Sequence, residues 1–255
     1  MSLVPSLTLA LFDLGAGRTL VGRTSFCVEP RSEVEGIPVV GGTKNVHVER
    51  VLELEPDVVL ANREENTRER VEAVARTVPV WLSDPRAPTD VPSLWRELGT
   101  IGASPDEAER RALDAEIALR DAERSASHAG PGFVYWVWRD PWMAAGRDTY
   151  ISRVLETAGW RNLVPEERGR YPRLTPEEAL GLGPAALLFA SEPYAFALPD
   201  DLDAFGPSAV REGDGWRLAG GGLALGVDGQ VFGWYPSFTV AALRRAVDLR
   251  QLVEG

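Results

Sequence analysis

Residues 45–61 and 173–189 carry one pattern twice. In each, a short acidic helix signal (Val48-Glu49-Arg50-Val51-Leu52-Glu53 and Pro176-Glu177-Glu178-Ala179-Leu180-Gly181) leads to a proline, Pro56 or Pro184. An apolar run follows, Val58-Val59-Leu60-Ala61 or Ala185-Ala186-Leu187-Leu188-Phe189, and reads as a buried parallel strand. The two prolines stand 128 residues apart, and upstream residues 5–21 fall over residues 148–164 at an offset of 143. One helix-proline-strand match is unremarkable in an α/β protein, but two in the same order point to two similar α/β lobes. A cleft between lobes is where small ligands usually bind.

Composition narrows the partners. With 255 residues and 44% hydrophobic content the chain can bury real cores. Its net charge of −11 argues against nucleic acid and anionic membrane, neither of which attracts a net anion. A protein partner with basic patches suits it better. The lone Cys27 cannot form an internal disulfide, and His47 and His128 alone cannot build a multi-imidazole metal centre. No metal site is assigned, although carboxylates could hold a hard cation. No apolar run reaches the ~18 residues that span a bilayer, so no membrane insertion is expected. The start, Met1-Ser2-Leu3-Val4-Pro5, has no basic segment, and Asp13 interrupts the apolar stretch behind it, so it does not read as a secretory signal.

The two lobes need a connector. Ser104 with Glu107 reads as a capping box, Pro105 takes the first helical position, and residues to about 127 lack Gly and Pro. The expected architecture is α/β, two similar lobes with mainly parallel sheets joined by one long backbone helix: an N-terminal lobe over 1–103, the helix over 104–128 and a C-terminal lobe over 129–255. A single linking helix resists large hinge motion, and a monomer is expected. In the first lobe strands are expected near residues 3–4, 39–40, 57–61 and 78–82, with helices near 6–14, 46–54, 68–77 and 91–101. In the second, strands fall near 133–138, 185–189 and 223–227, and helices near 149–157, 176–182 and 239–252. Asp228-Gly229 reads as a tight hairpin turn.

Enzyme signatures are missing. Gly15-Ala16-Gly17-Arg18-Thr19-Leu20 lacks the third glycine of a dinucleotide loop, and neither a phosphate-binding loop nor a Gly-x-Ser-x-Gly elbow occurs. No catalytic residue is assigned and the protein is read as a binder. Eight tryptophans point the same way, three of them in Trp136-Val137-Trp138-Arg139-Asp140-Pro141-Trp142 at a strand end. Trp136 is most simply core, whereas Trp138 and Trp142 lie nearer the end where open α/β sheets bind ligands. With Arg139 and Arg147 they form a candidate aromatic and cationic wall; packing between lobes is the competing reading. Equivalent strand ends supply Asn62, Arg63, Ser191, Glu192 and Tyr194. Gly41-Gly42-Thr43-Lys44-Asn45 precedes a helix where amides and Lys44 can meet an anion, and Trp234 and Tyr235 add an aromatic lip before the last helix.

These runs, with Val4-Pro5-Ser6-Leu7-Thr8, Val21-Gly22-Arg23-Thr24, Gly41 to Asn45, Glu49 to Ala61 and Ala145-Gly146-Arg147-Asp148-Thr149-Tyr150-Ile151, resemble the class III periplasmic substrate-binding proteins of ABC importers. That family takes up cobalamin, ferric siderophores, haem and some metals, and the likeness is nearest to its cobalamin-binding branch. The resemblance implies a two-lobed fold bridged by one helix, a periplasmic or other extracytoplasmic setting and an ABC transporter permease dimer as partner. With no signal read in this chain, either export depends on a segment outside it or the protein is cytoplasmic. In the cobalamin branch aromatic side chains clasp the corrin; the matching first-lobe positions are Phe26, Thr43 and Asn62, only one of them aromatic, and the match also takes in Ser6. Family members present one acidic residue per lobe to the transporter, matching Glu49 and, through the repeat, Glu177. The ligand implied is cobalamin or another metal chelate, with no catalytic cofactor. A ferric siderophore or haem is the alternative cargo, and a chelatase-like enzyme is the rival of another class.

Overall fold

The computed structural model describes residues 1–255 apart from 102–103, 127–129, 207–208 and 221. Residues 127 and 128, at the expected end of the linking helix, therefore lie outside the described set. Unit 1 comprises Met1–Pro85, Asp90–Ala115 and Trp234–Ser237; unit 2 comprises Arg86–Thr89, Glu116–Gly233 and Phe238–Gly255.

Unit 1 follows the order α1 (Pro5–Asp13), α2 (Arg31–Val34), α3 (Val48–Glu53), β1 (Val59–Asn62), α4 (Arg68–Ala75), β2 (Val80–Ser83) and α5 (Val91–Thr100). Pro5 opens α1, where its missing N–H costs nothing. In α5, Val91, Leu94, Trp95 and Leu98 recur at helical spacing and are all buried. Strands β1 and β2 pair in parallel, Val59 opposite Val80. Around them Leu3, Val40, Val46, Val51, Val59 and Val74 close the core. The strands expected near residues 3–4 and 39–40 are reduced to isolated bridges, Ser2 with Arg23 and Leu60, and Arg23 with Val39. The runs are too short, and Pro5 and Pro38 interrupt them, to sustain a ladder.

Helix α6 (Pro105–Ser125) gives its first half to unit 1 and its second to unit 2. Its 21 residues span about 32 Å at 1.5 Å each. Ala108, Ala112, Ala115, Ala118, Leu119 and Ala122 are its buried stripe. The expected capping box is only half formed. Ser104 Oγ accepts the Glu107 N–H at 3.4 Å, while the Glu107 carboxylate turns to Arg110 and Arg111, which outcompete a neutral amide for its charge.

Unit 2 follows as β3 (Gly132–Trp138), β4 (Met143–Ala144), α7 (Tyr150–Thr157), β5 (Arg161–Asn162), α8 (Pro176–Gly181), β6 (Ala186–Ala190), β7 (Ala209–Glu212), β8 (Gly215–Leu218), β9 (Leu223–Val227), α9 (Gly229–Gly233) and α10 (Thr239–Glu254). The sheet order is β4-β3-β6-β9-β8-β7, with β5 beside β3. Strands β3, β6 and β9 run parallel and form its buried centre, and β5 runs parallel beside β3. On one face Val134, Trp136, Leu187, Phe189 and Ala224 pack with Leu202 and Phe205. On the other, Phe133 meets Trp160 edge-on and Tyr135 meets Phe232. Two α/β units with mainly parallel pairing and one long helix shared by both are what the repeat and the linking segment imply.

Two local expectations fail for physical reasons. Asp228-Gly229 makes no hairpin: Asp228 Oδ1 accepts the N–H groups of Gln230 and Val231 and starts α9 instead. The hairpin lies one turn signal earlier, at Gly213-Asp214 between β7 and β8, with Gly213 at φ 54°. The complete capping box sits at α8, where Thr175 Oγ1 accepts the Glu178 N–H and the Glu178 carboxylate accepts the Thr175 N–H at 2.7 Å.

Candidate functional site

In unit 1 the candidate residues surround the loop after Val40. Gly41 has φ 113°, and a Cβ on Gly42 would stand 2.3 Å from Asn45 Oδ1 and 3.2 Å from the Phe26 ring, so only glycine lets the loop lie against that ring. Phe26 is itself 58% exposed. Thr43 is buried, its carbonyl accepting from Asn66 Nδ2 at 3.0 Å, and the exposed Lys44 ammonium donates to the Glu64 carbonyl. Asn62, at the end of β1, is tied off on every side. Its Nδ2 donates to the Ser83 carbonyl (3.1 Å), Ser83 Oγ (3.0 Å) and the Tyr235 hydroxyl (3.3 Å), and its Oδ1 accepts from the Glu64 and Glu65 amides. Tyr235 is buried and Trp234 half-buried. Arg63 is exposed and pairs with Asp84 at 3.2 Å; Ser6 is buried in α1. Lys44, Asn62 and Arg63 thus all meet internal partners.

In unit 2 an aromatic ladder climbs from the core to the surface. The fully buried Trp136 meets Trp142 edge-on at 5.1 Å, Trp142 stacks on Phe196 at 5.6 Å, Phe196 leans on Tyr194 at 4.7 Å, and Tyr194 meets Trp138 at 5.8 Å. Trp138, last in β3, is 40% exposed, while Trp142 belongs to the core margin. Arg139 lies over Trp142 at 5.4 Å and is paired with the buried Asp201, which also accepts the Ala197 N–H. That pairing fastens the loop bearing Tyr194 and Phe196 to the end of β3. Ser191 Oγ accepts the Gly229 N–H at 3.0 Å, and half-buried Glu192 lies so close to Gly229 that a Cβ there would stand 2.7 Å from Glu192 Cγ. Burial, reinforced by the charges of Asp228 and Glu192 and by Tyr171, holds the Tyr135 phenol far above its ordinary pKa.

Arg147 follows β4 and precedes α7, half-buried, with its Nε buried and without a hydrogen-bond partner among the described residues. The neighbouring loop carries Tyr171, 41% exposed, which the sequence reading passed over. The repeat offset of 128 residues places it opposite Thr43. Glu49 and Glu177 are exposed in the first turns of α3 and α8, and neither forms an ion pair among the described residues.

Cys27 is buried, its sulfur accepting from Thr8 Oγ1 at 3.0 Å and touching Thr24 Oγ1 at 3.2 Å, and burial pushes its thiol pKa up, away from a reactive thiolate. No group of three or more His, Cys, Asp and Glu is placed to hold a metal ion among the described residues. No described helix is long and apolar enough to cross a membrane.

A vitamin B12-binding protein of Pectobacterium atrosepticum is 27% identical over 195 residues, 74% of this chain and 70% of that protein. An uncharacterised ABC transporter substrate-binding lipoprotein of Bacillus subtilis is 26% identical over 226 residues, 85% of this chain and 67% of its own. Among solved structures, the periplasmic vitamin B12-binding protein of Vibrio cholerae superposes with TM-score 0.82 at 18% identity, covering 99% of this chain and 96% of that one. A periplasmic haem-binding protein of Pseudomonas aeruginosa gives TM-score 0.78 at 23% identity, covering 98% and 91%. These two establish the shared fold. The family described as periplasmic binding protein matches residues 2–217, and the chain belongs to it.

Proposed function

We propose that the protein is a non-catalytic solute-binding protein that hands a corrinoid to an ABC importer outside the cytoplasmic membrane. The observation that carries this reading is the likeness over three quarters of the chain to proteins named for binding vitamin B12. The exposed rings of Phe26, Trp138 and Tyr171 support it, because flat macrocycles gain most of their affinity by burying apolar faces against aromatic side chains. Haem or a ferric chelate is the second reading, supported by the fold shared with haem-binding proteins. Titrating cyanocobalamin and hemin separately into the protein, followed by visible absorbance and calorimetry, tests it. One cyanocobalamin per chain is expected; hemin binding alone moves the assignment to haem, and chemical turnover of either compound would replace the binder with an enzyme. Trp138→Ala is expected to weaken binding by about 1–3 kcal/mol.

For delivery, Glu49 and Glu177 are the proposed contacts with the permease dimer, one at the start of each repeated helix. Carboxylates favour helix N-termini whatever the partner, so the docking role needs its own test. Reversing both to Lys should abolish salt-sensitive association with the transporter while ligand affinity stays unchanged. Equal loss of ligand binding would reassign both residues to helix stability.

A further inference from the structure

Strand β2 ends a sheet. It pairs in parallel with β1, and among the described residues no other strand joins it. The counterpart of β1 at the 128-residue offset is β6, whose sheet runs on past β9 into the antiparallel β8 and β7. The outermost strands of the two sheets differ in character. Strand β7, Ala209-Val210-Arg211-Glu212, carries two charged side chains, and charge on an edge discourages another strand from pairing with it. Strand β2, Val80-Trp81-Leu82-Ser83, carries none, and Leu82 is 51% exposed.

The outer side of the β2 backbone is unspent. Val59 N–H donates to the Pro79 carbonyl at 2.9 Å and Arg63 N–H to the Ser83 carbonyl at 3.0 Å. Backbone groups alternate in direction along a strand, so Pro79, Trp81 and Ser83 face β1 while Val80 and Leu82 turn their N–H and C=O groups away from it. Among the described residues neither Val80 nor Leu82 forms a backbone hydrogen bond on that outer side. The strand itself is well held. Val80 packs on the core of unit 1, Trp81 Nε1 donates to Glu97 at 3.2 Å, and Ser83 Oγ donates to the Ala61 carbonyl at 3.1 Å. A fixed edge with open amides and apolar side chains is a template for another extended strand.

The strand that fits this template best is β2 itself. In an antiparallel register about Trp81, Val80 of one copy stands opposite Leu82 of the other, and the outward groups of each such pair exchange both of their N–H···O bonds. Trp81 then meets Trp81 at a non-hydrogen-bonded position, where cross-strand aromatic pairs stabilise a sheet, and no like charges oppose one another within the strands. We propose that two copies of the chain associate through β2, antiparallel, about a two-fold axis at Trp81. A contact of one short strand is small and therefore weak. The net charge of −11 on each copy opposes it until salt screens the repulsion, so dilute protein stays the monomer that the sequence implies.

Sedimentation equilibrium of the whole chain tests this. Between micromolar and millimolar concentration the mass should rise towards two chains, and more steeply at about 0.15 M than at about 0.01 M salt. Hydrogen exchange at the Val80 and Leu82 amides should slow in step with the dimer fraction. Leu82→Lys gives β2 the kind of charge that β7 already carries, and should return a folded monomer. Trp81→Cys should let mild oxidation trap the dimer, since non-hydrogen-bonded partners have Cα atoms about 4.5 Å apart, within disulfide reach. The wild-type chain, whose lone Cys27 is buried, should give no covalent dimer. A chain that stays monomeric at every concentration leaves the edge to a strand of a different protein and overturns the proposal. So does a dimer that survives Leu82→Lys and escapes trapping at Trp81→Cys. Slow exchange at both amides that does not vary with concentration would place the cover within one chain, and overturns it as well.

Discussion

Unit 1 and unit 2 carry the same helix-proline-strand segment and finish it with opposite residues at the same backbone position. After α3 the chain turns through Glu55 at φ 44°; after α8 it turns through Gly183 at φ 66°, and the two positions stand 128 residues apart. Both are left-handed helix ends, free for glycine and strained for glutamate. The helix starts diverge as well: Thr175 and Glu178 close a capping box on α8, while their counterparts His47 and Arg50 on α3 leave the N-cap without a side-chain bond. The difference extends to the candidate ligand groups. In unit 1 Asn62, Lys44 and Arg63 spend hydrogen bonds internally, whereas in unit 2 the Nε of Arg147 is buried without an acceptor among the described residues. A repeated backbone plan can thus be kept while the side chains at its ends diverge.

The largest test of that contrast is the aromatic core of unit 2. Trp136 is wholly buried against Trp142, Phe189 and Phe205, so Trp136→Ala should cost about 3–5 kcal/mol in denaturant unfolding. A loss below 1 kcal/mol would mean the ladder from core to surface is not mechanically continuous. Next comes the polar knot of unit 1: Asn62→Ala strands the buried amide partners and should cost about 1–3 kcal/mol of stability. Affinity for cyanocobalamin should fall by less than stability does. The reverse result would make Asn62 a ligand contact.

Much of the plan was legible in the sequence. The repeated proline-strand segments, the amphipathic spacing of α5 and the glycine-free run of α6 report backbone and burial, which local pattern encodes directly. Side-chain pairing was not legible, because it depends on residues distant in the chain. Arg139 reads as a free cation until Asp201, 62 positions away, is brought beside it. Arg147 reads the same, and its Nε finds no acceptor among the described residues. Asp228-Gly229 has the composition of a hairpin turn, but the following Gln230 and Val231 amides claim the aspartate and make a helix start. Tyr171 stands 128 positions after Thr43, and a small polar threonine gives no hint of an aromatic counterpart.

The paired helix ends give a smaller effect of opposite sign in the two units. Gly183→Ala meets no neighbouring atom within 4 Å, so its expected cost of about 1 kcal/mol is a backbone cost alone. Glu55→Gly should stabilise by about 0.5 kcal/mol, the relief of strain being partly offset by the entropy glycine loses on folding. The same sign for both changes in thermal unfolding would end the equivalence of the two positions.

A further small effect lies at the helix starts, and pH isolates it. Hydrogen bonds from Arg168 and the Thr175 amide hold the Glu178 carboxyl at about 2, against an ordinary 4.5. A folded-state pKa below the unfolded one means that ionised Glu178 stabilises the fold above pH about 4.5, and that this contribution fades as the pH falls towards 2. Carbon-detected NMR should find the Glu178 carboxyl titrating near the bottom of that window, and Glu178→Gln should flatten the stability profile within it. The α3 start has no side-chain cap, and the double change His47→Thr with Arg50→Glu writes the missing box onto it. A threonine cap there is expected to add about 0.5–1 kcal/mol at neutral pH. Because the new carboxylate would lack the arginine that Arg168 supplies to Glu178, its titration should fall between 2 and 4.5. A gain independent of pH would show that the threonine hydroxyl alone made the difference between the two helix starts.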